Sequence, residues 1–147
     1  MTSPALSLED FVPYRLSFTS NLVSNSIARS YEDLFGLRIP EWRVLAVVAE
    51  RHGISQQDIG VRTRMDKVTV SRAAIALTAR HLLVRAPNRD DRRSHMLRLS
   101  EQGRKLYAQV VPKALELEAR ILAPFAPDEI AAFVAMLRRI DAIVSEE

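Results

Sequence analysis

The sequence predicts a mainly α-helical domain interrupted once by a short β-hairpin, and three observations carry that prediction. Apolar residues recur three and four apart through most of the 147 residues. Ser, Asp and Pro stand where each helical stretch should begin, as N-caps and first-turn residues do. Between residues 83 and 99 the helical period lapses into two short runs around the polar stretch Asn88-Arg89-Asp90-Asp91-Arg92-Arg93. A chain of this length with 48% hydrophobic and 27% charged residues is one domain, residues 1–147, able to bury a core of its own; disorder is excluded. The absence of Cys excludes disulfides, a thiolate zinc site and a thiol redox switch. The longest uninterrupted apolar run, Ile130 to Leu137, is far short of the roughly 18 residues of a membrane span. No basic start followed by an apolar stretch opens the chain, so a cytoplasmic protein without a membrane partner is expected.

Each element has its own justification. Phe11, Val12, Leu16, Leu22, Val23, Ile27, Tyr31, Leu34 and Phe35 predict a long amphipathic helix over residues 8–36, with Pro13 near its first turn and Gly36 at its end. Pro40 opens a second helix through Trp42, Leu45, Val48 and Ala49, stopped at Gly53. Ser55, with Asp58 three residues later, caps a short third helix over residues 56–63, and Asp66 caps a fourth over residues 67–80. Residues 83–87 and 94–99 form the hairpin. Ser100 caps a fifth helix, in which Pro112 predicts a kink or a break. Pro127, Asp128 and Glu129 begin a sixth, so that residues 101–145 make a long C-terminal helical region.

Charge is concentrated at the centre. Residues 62–98 hold ten cations against three anions, whereas the segments on either side are each mildly acidic. Of the 21 cations 18 are Arg, whose planar fork suits phosphate and guanine edges. A short helix, a turn, a second helix and a hairpin form the layout of a winged helix-turn-helix, here over residues 40–99. With Val70, Ala74 and Leu77 turned inward, the fourth helix presents Val68, Arg72 and Ile75 outward, with Thr69 and Ser71 at the margin. Arg72 can then take guanine O6 and N7, Val68 and Thr69 a thymine methyl, and Lys67 and Ser71 a phosphate. Arg89, Arg92 and Arg93 on the hairpin tip suit a minor groove, with Asp91 beside them to orient a guanidinium. Asp90 and Asp91 are not a catalytic pair, since an Arg-rich loop offers no burial to raise a carboxyl pKa. No nucleophile elbow, phosphate loop or metal-binding helix motif appears, so neither an enzyme nor a cofactor is expected. His52, His81 and His95 are too scattered for a metal site.

The stretches SQQDI from Ser55, MDKVTVSRA from Met65 and NRDDRRSHMLRLSEQG from Asn88 together resemble the MarR family of bacterial transcriptional regulators. IPEWRVL from Ile39 resembles the family's second helix, and the resemblance spans nearly the whole chain. It implies a homodimer joined through residues 8–36 and 101–145, double-stranded DNA as partner, and repression relieved by a small aromatic or phenolic anion. It also implies that Arg93 enters the minor groove, steadied by Asp91, while Lys67, Thr69 and Arg72 belong to the reading helix. Tyr14, Phe18, Trp42 and Arg43 are the candidates for an effector cleft, with Arg43 meeting a carboxylate. Two positions depart from the family pattern: His81 stands where Gly usually closes the reading helix, and Asn88 where an acid usually heads the wing. A winged-helix module that grips an acidic protein is the alternative; salt dependence and sequence preference separate the two.

Overall fold

The computed structural model describes residues 3–90 and 95–145. It divides into two compact units, Met1–Val110 and Val111–Glu147, with the division inside one long helix.

In the first unit a 3₁₀ turn, Leu8–Asp10, precedes α1, Val12–Phe35. The helix therefore starts four residues later than the apolar pattern suggested. Phe11 is extended at φ −77° and ψ 110°, and Pro13 sits in the first turn. Proline has no N–H to bond back to Glu9, so helix cannot propagate from Leu8 through it. Gly36 ends α1 in the left-handed region at φ 62° and ψ 29°, a conformation in which a Cβ would be strained. The next helix, α2 (Ile39–Ala49), begins with the Arg38 N–H donating to Glu41 Oε1 at 2.8 Å. It stops at Ala49 with Glu50 as C-cap, short of Gly53, which instead leads into a strand.

That strand, β1 (Ile54–Ser55), turns the expected hairpin into a three-stranded antiparallel sheet ordered β1-β3-β2. The hairpin strands are β2 (Leu83–Pro87) and β3 (His95–Leu99), in register with Leu83 opposite Leu99, Arg85 opposite Leu97 and Ala86 opposite Met96. Ile54 pairs with Leu97. Between β1 and β2 lie α3 (Gln56–Thr63) and α4 (Lys67–Ala79), both starting where their caps require. Val44, Leu45, Val48, Ile59, Val70, Ala74, Leu77 and Leu97 are buried together as the core beneath α2, α3, α4 and one face of the sheet.

Helix α4 closes in a Schellman motif. The Leu82 N–H donates to Leu77 O at 2.9 Å and the His81 N–H to Thr78 O at 3.0 Å, with His81 left-handed at φ 60°. Leu77 and Leu82 are both buried, as the motif's hydrophobic contact requires. Arg80, the C-cap, donates from both guanidinium NH groups to the carbonyls of Gly36 and Phe35, each at 3.0 Å, and so satisfies two orphan groups at the end of α1. Helix α5, Glu101–Leu122, begins in this unit, with the Gly103 N–H donating to Ser100 Oγ at 2.9 Å. It runs unbroken through Pro112, so the expected break is absent: the missing N–H removes one helical bond while the turns on both sides keep theirs.

The second unit holds the rest of α5 and α6, Pro127–Ser145. Glu129 Oε1 accepts the Ala126 N–H at 2.9 Å, which fixes the start of α6. No described residue of α6 is buried, although Phe133, Met136, Ile143 and Val144 are among its side chains.

Two substitutions test this construction. A Cβ on Gly103 would lie 2.1 Å from the Leu82 carbonyl oxygen. Gly103→Ala is therefore expected to cost about 3 kcal/mol in urea unfolding, and a neutral result would refute the packing. His81→Gly removes a strained Cβ and is expected to add about 1 kcal/mol, checked the same way.

Candidate nucleic-acid interface

The turn between α3 and α4 is built from local bonds. Thr63 Oγ1 donates to Ile59 O at 2.7 Å and accepts the Met65 N–H at 3.3 Å, while Arg64 takes the left-handed conformation at φ 60° and ψ 18°. Ser55 Oγ caps α3 by accepting the Asp58 N–H at 3.2 Å. Asp66 caps α4 with both carboxylate oxygens: Oδ1 accepts the Thr69 N–H at 2.8 Å and Oδ2 the Thr69 hydroxyl at 2.9 Å. These bonds, the backbone one foremost, hold the Asp66 carboxyl below its ordinary range.

Helix α4 faces as its period requires. Val70, Ala73, Ala74 and Leu77 are buried, and Lys67, Val68, Arg72 and Ile75 form an exposed row in which Val68 is 58% and Ile75 57% accessible. Thr69 and Ser71 are half-buried at its margin. The Thr69 hydroxyl proton is committed to Asp66, which leaves its methyl as the surface it can offer a base. Arg89 is exposed at the end of β2. Asp91, Arg92 and Arg93 lie outside the described residues.

Lys67 also lines a depression of about 930 Å³ with Ser55, Gln56, Gln57, Asn88 and His95. This concavity joins the start of α3, the first turn of α4 and the base of the hairpin. Sequence reasoning missed Gln56, Gln57 and His95; the signal for the glutamines was their place in the first turn after the Ser55 cap. Among the described residues the ion pairs are Lys105–Glu101, Lys113–Glu116 and Arg120–Glu116, all on α5. Lys67, Arg72, Arg85, Arg89 and Arg98 thus have no carboxylate partner there, whereas Arg80 is engaged by the end of α1.

The four residues expected to line an effector cleft are not brought together. Tyr14 and Phe18 pair near the start of α1 with ring centroids 6.0 Å apart, and the Arg15 guanidinium lies 4.7 Å from the Phe18 centroid. Trp42 belongs to another cluster, edge-on to Tyr31 at 5.4 Å and stacked on Tyr107 at 6.0 Å, with exposed Arg43 next to it in sequence. Burial in that cluster pushes the Tyr31 hydroxyl pKa up. The path along α1 from Phe18 to Tyr31 is roughly 20 Å at the helical rise, too far for one cleft to span both groups. No group of three His, Asp or Glu among the described residues is placed to hold a metal.

An exposed row on α4, a tightly capped helix-turn-helix and a flanking three-stranded sheet define a winged-helix protein. Residues 35–94 match the sequence model of the MarR family. The regulator PecS of Dickeya dadantii is 29% identical over 138 residues, which cover 90% of this chain and 83% of that one. A MarR/EmrR family regulator from Acinetobacter sp. ADP1 superposes with a TM-score of 0.89 at 22% identity, covering 97% of this chain and 100% of that one. BpsR of Bordetella bronchiseptica, whose DNA binding is regulated by 6-hydroxynicotinic acid, superposes at 0.85 with 24% identity over 94% of this chain and 98% of that one. Over residues 35–94 the chain is thus similar to the MarR family of transcriptional regulators, and over nearly its whole length it shares the fold of that family's solved structures.

The Asp66 cap gives a pH test. Its folded pKa is depressed, so its contribution is full above the unfolded carboxyl value and fades as pH falls through the lower folded one. Asp66→Asn is expected to keep the cap but lose this acid-side dependence, and Asp66→Ala to lower the melting temperature at neutral pH as well. Parallel stability–pH curves for wild type and Asp66→Asn below pH of about 4 would contradict the assignment.

Proposed function

We propose that this chain is a homodimeric DNA-binding transcriptional repressor that reads a pseudo-palindromic operator and is released by a small aromatic or phenolic anion. The single observation that carries the reading is the exposed row on α4: Arg72 stands with no carboxylate partner among the described residues, between small and apolar neighbours on a helix whose opposite face is fully buried. In the major groove such a row reads bases through Arg72, with Val68 and the Thr69 methyl against thymine and Lys67 and Ser71 on phosphates. Arg89, Arg92 and Arg93 supply the minor-groove contact, and Asp91 steadies Arg93.

Pairing is supported by apolar side chains that the single chain leaves in water. Phe11, Val12, Leu16 and Leu22 at the start of α1, and Phe133, Ile143 and Val144 of α6, are exposed. We assign residues 8–36 and 101–145 to the dimer arms and residues 40–99 to the DNA-binding lobe of a single functional domain, 1–147. A two-fold dimer places its reading helices on half-sites about one helical turn apart. Ligand response is supported by BpsR, whose DNA binding is regulated by an aromatic acid. Trp42 and Arg43 are the pair we assign to such an effector, since Tyr14 and Phe18 stand too far along α1 to share it within one chain. No described helix is long and apolar enough to cross a membrane, which is consistent with the cytoplasmic site of action we assign.

Selection of bound duplexes from genomic fragments tests the reading, and a two-fold-symmetric site is the expected product. For about six phosphate contacts, log affinity should fall with log salt at a slope near −5. Arg72→Ala is expected to cost about 1 to 3 kcal/mol and relax preference at one base position. Arg93→Ala should weaken every duplex alike. A protein that is monomeric and indifferent to duplex in dilute buffer would overturn the proposal and favour an acidic protein as partner.

A further inference from the structure

The sheet has a second face that the reading above does not use. Strand residues alternate, so while Leu83 and Leu97 enter the core, Val84, Ala86, Met96 and Arg98 lie on the opposite face, Val84 across from Arg98 and Ala86 across from Met96. The turn that follows α2 runs beside this face. A Cβ on Gly53 would meet Met96 Cε at 3.6 Å and Arg98 Cγ at 3.7 Å, so Arg51 and His52 are carried next to Arg98. Two adjoining cavities result, of about 890 and 600 Å³, and both include Arg51, His52 and Arg98. Arg89 lines the first and Arg104 the second.

The chemistry of this lining is one-sided. Arg51, Arg89, Arg98 and Arg104 are exposed, and none has an ion-pair partner among the described residues. The one carboxylate in either lining is that of Glu50. Met96, Ala86 and Pro87 contribute an apolar floor in the first cavity, and Val84 and Leu99 in the second. Cations gathered on a concave wall repel one another in water and are relieved by a compact polyanion. A guanidinium fork grips phosphate oxygens two at a time. The volumes fall within the range of roughly 300–1,000 Å³ of small-molecule sites. A duplex, whose major groove alone is about 12 Å wide, is too large to seat in them.

We propose that this outer face of the sheet is a second ligand site that takes a small organophosphate. Arg51, Arg98 and Arg104 hold a di- or triphosphate group, His52 donates to it, and the attached planar organic group lies on Val84, Ala86 and Met96. The three arginines that hold the phosphates belong neither to the α4 row nor to the Trp42 cluster; of the lining, Arg89 alone is shared with the operator reading, and the phosphate contacts do not depend on it.

Titration calorimetry on the full chain with ATP, inorganic triphosphate and adenosine tests it. ATP is expected to bind once per chain, triphosphate more weakly, and adenosine not measurably. Arg51→Ser/Arg98→Ser should lower ATP affinity by about ten-fold or more, the loss of at least one charge-assisted contact, without changing duplex affinity. Arg72→Ala should leave ATP binding as it was, and Arg98→Lys, which keeps the charge but not the fork, should weaken it less than Arg98→Ser. If the double variant fails to fold, Arg104→Ser carries the same expectation from the exposed first turn of α5. Absence of binding by both phosphate probes, or an unchanged affinity in the folded variant, overturns the proposal. So does a parallel loss of duplex affinity, which would make these cations further contacts to the nucleic-acid backbone.

Discussion

The carbonyl of Leu82 is the point on which the winged-helix lobe turns. It accepts the Ser100 N–H at 3.0 Å, while Ser100 Oγ donates to the His81 carbonyl at 2.5 Å and accepts from Gly103. The end of α4, the start of β2, the exit from β3 and the first turn of α5 therefore share one small hydrogen-bonded junction. Gly103 is what allows α5 to approach closely enough to complete it. Because the hairpin leaves and re-enters the fold at that junction, the base of the hairpin and the end of α4 are tied together. The proposed interface, matched to two grooves of one duplex, would gain from that rigidity, since a flexible wing would lose conformational entropy on each encounter.

Polar groups in this lobe divide by task. Ser55, Asp66 and Ser100 serve helix starts, Thr63 and Thr78 bond back to their own helices, and Arg80 serves the end of α1. None of these is available to a partner. The cations that remain project from α2, α3 and the turn after it, α4, the sheet and the turn after α2. Exposed ion pairs contribute little to stability, so leaving these cations without an ion-pair partner among the described residues costs the fold little.

Much of this was legible in the sequence because it is written in local chemistry. The starts of α3, α4 and α5 follow from Ser55, Asp66 and Ser100, and the exposed row of α4 from a period of 3.6 residues. What was not legible depends on distance or register. A two-residue strand such as β1 has no periodicity to detect and exists because β3 offers it an edge. The apolar pattern carried α1 back to Leu8, but Pro13 sets the limit on its start. Pro112 marked a weak point in α5 that neighbouring turns were able to bridge. Helical spacing told which face Tyr14, Phe18 and Trp42 occupy, not how far apart they stand along the axis. The depression under Lys67 needed His95 and Gln56 in one place, which only the sheet register and the third helix together decide.

The indole of Trp42 is the chain's sole tryptophan, and it sits between Tyr31 at the end of α1 and Tyr107 on α5. Nature has thereby installed an optical probe at the seam where α2 meets α1 and α5. Selective excitation of that fluorophore reports on this seam alone, with no label added, so rearrangement there can be followed in real time.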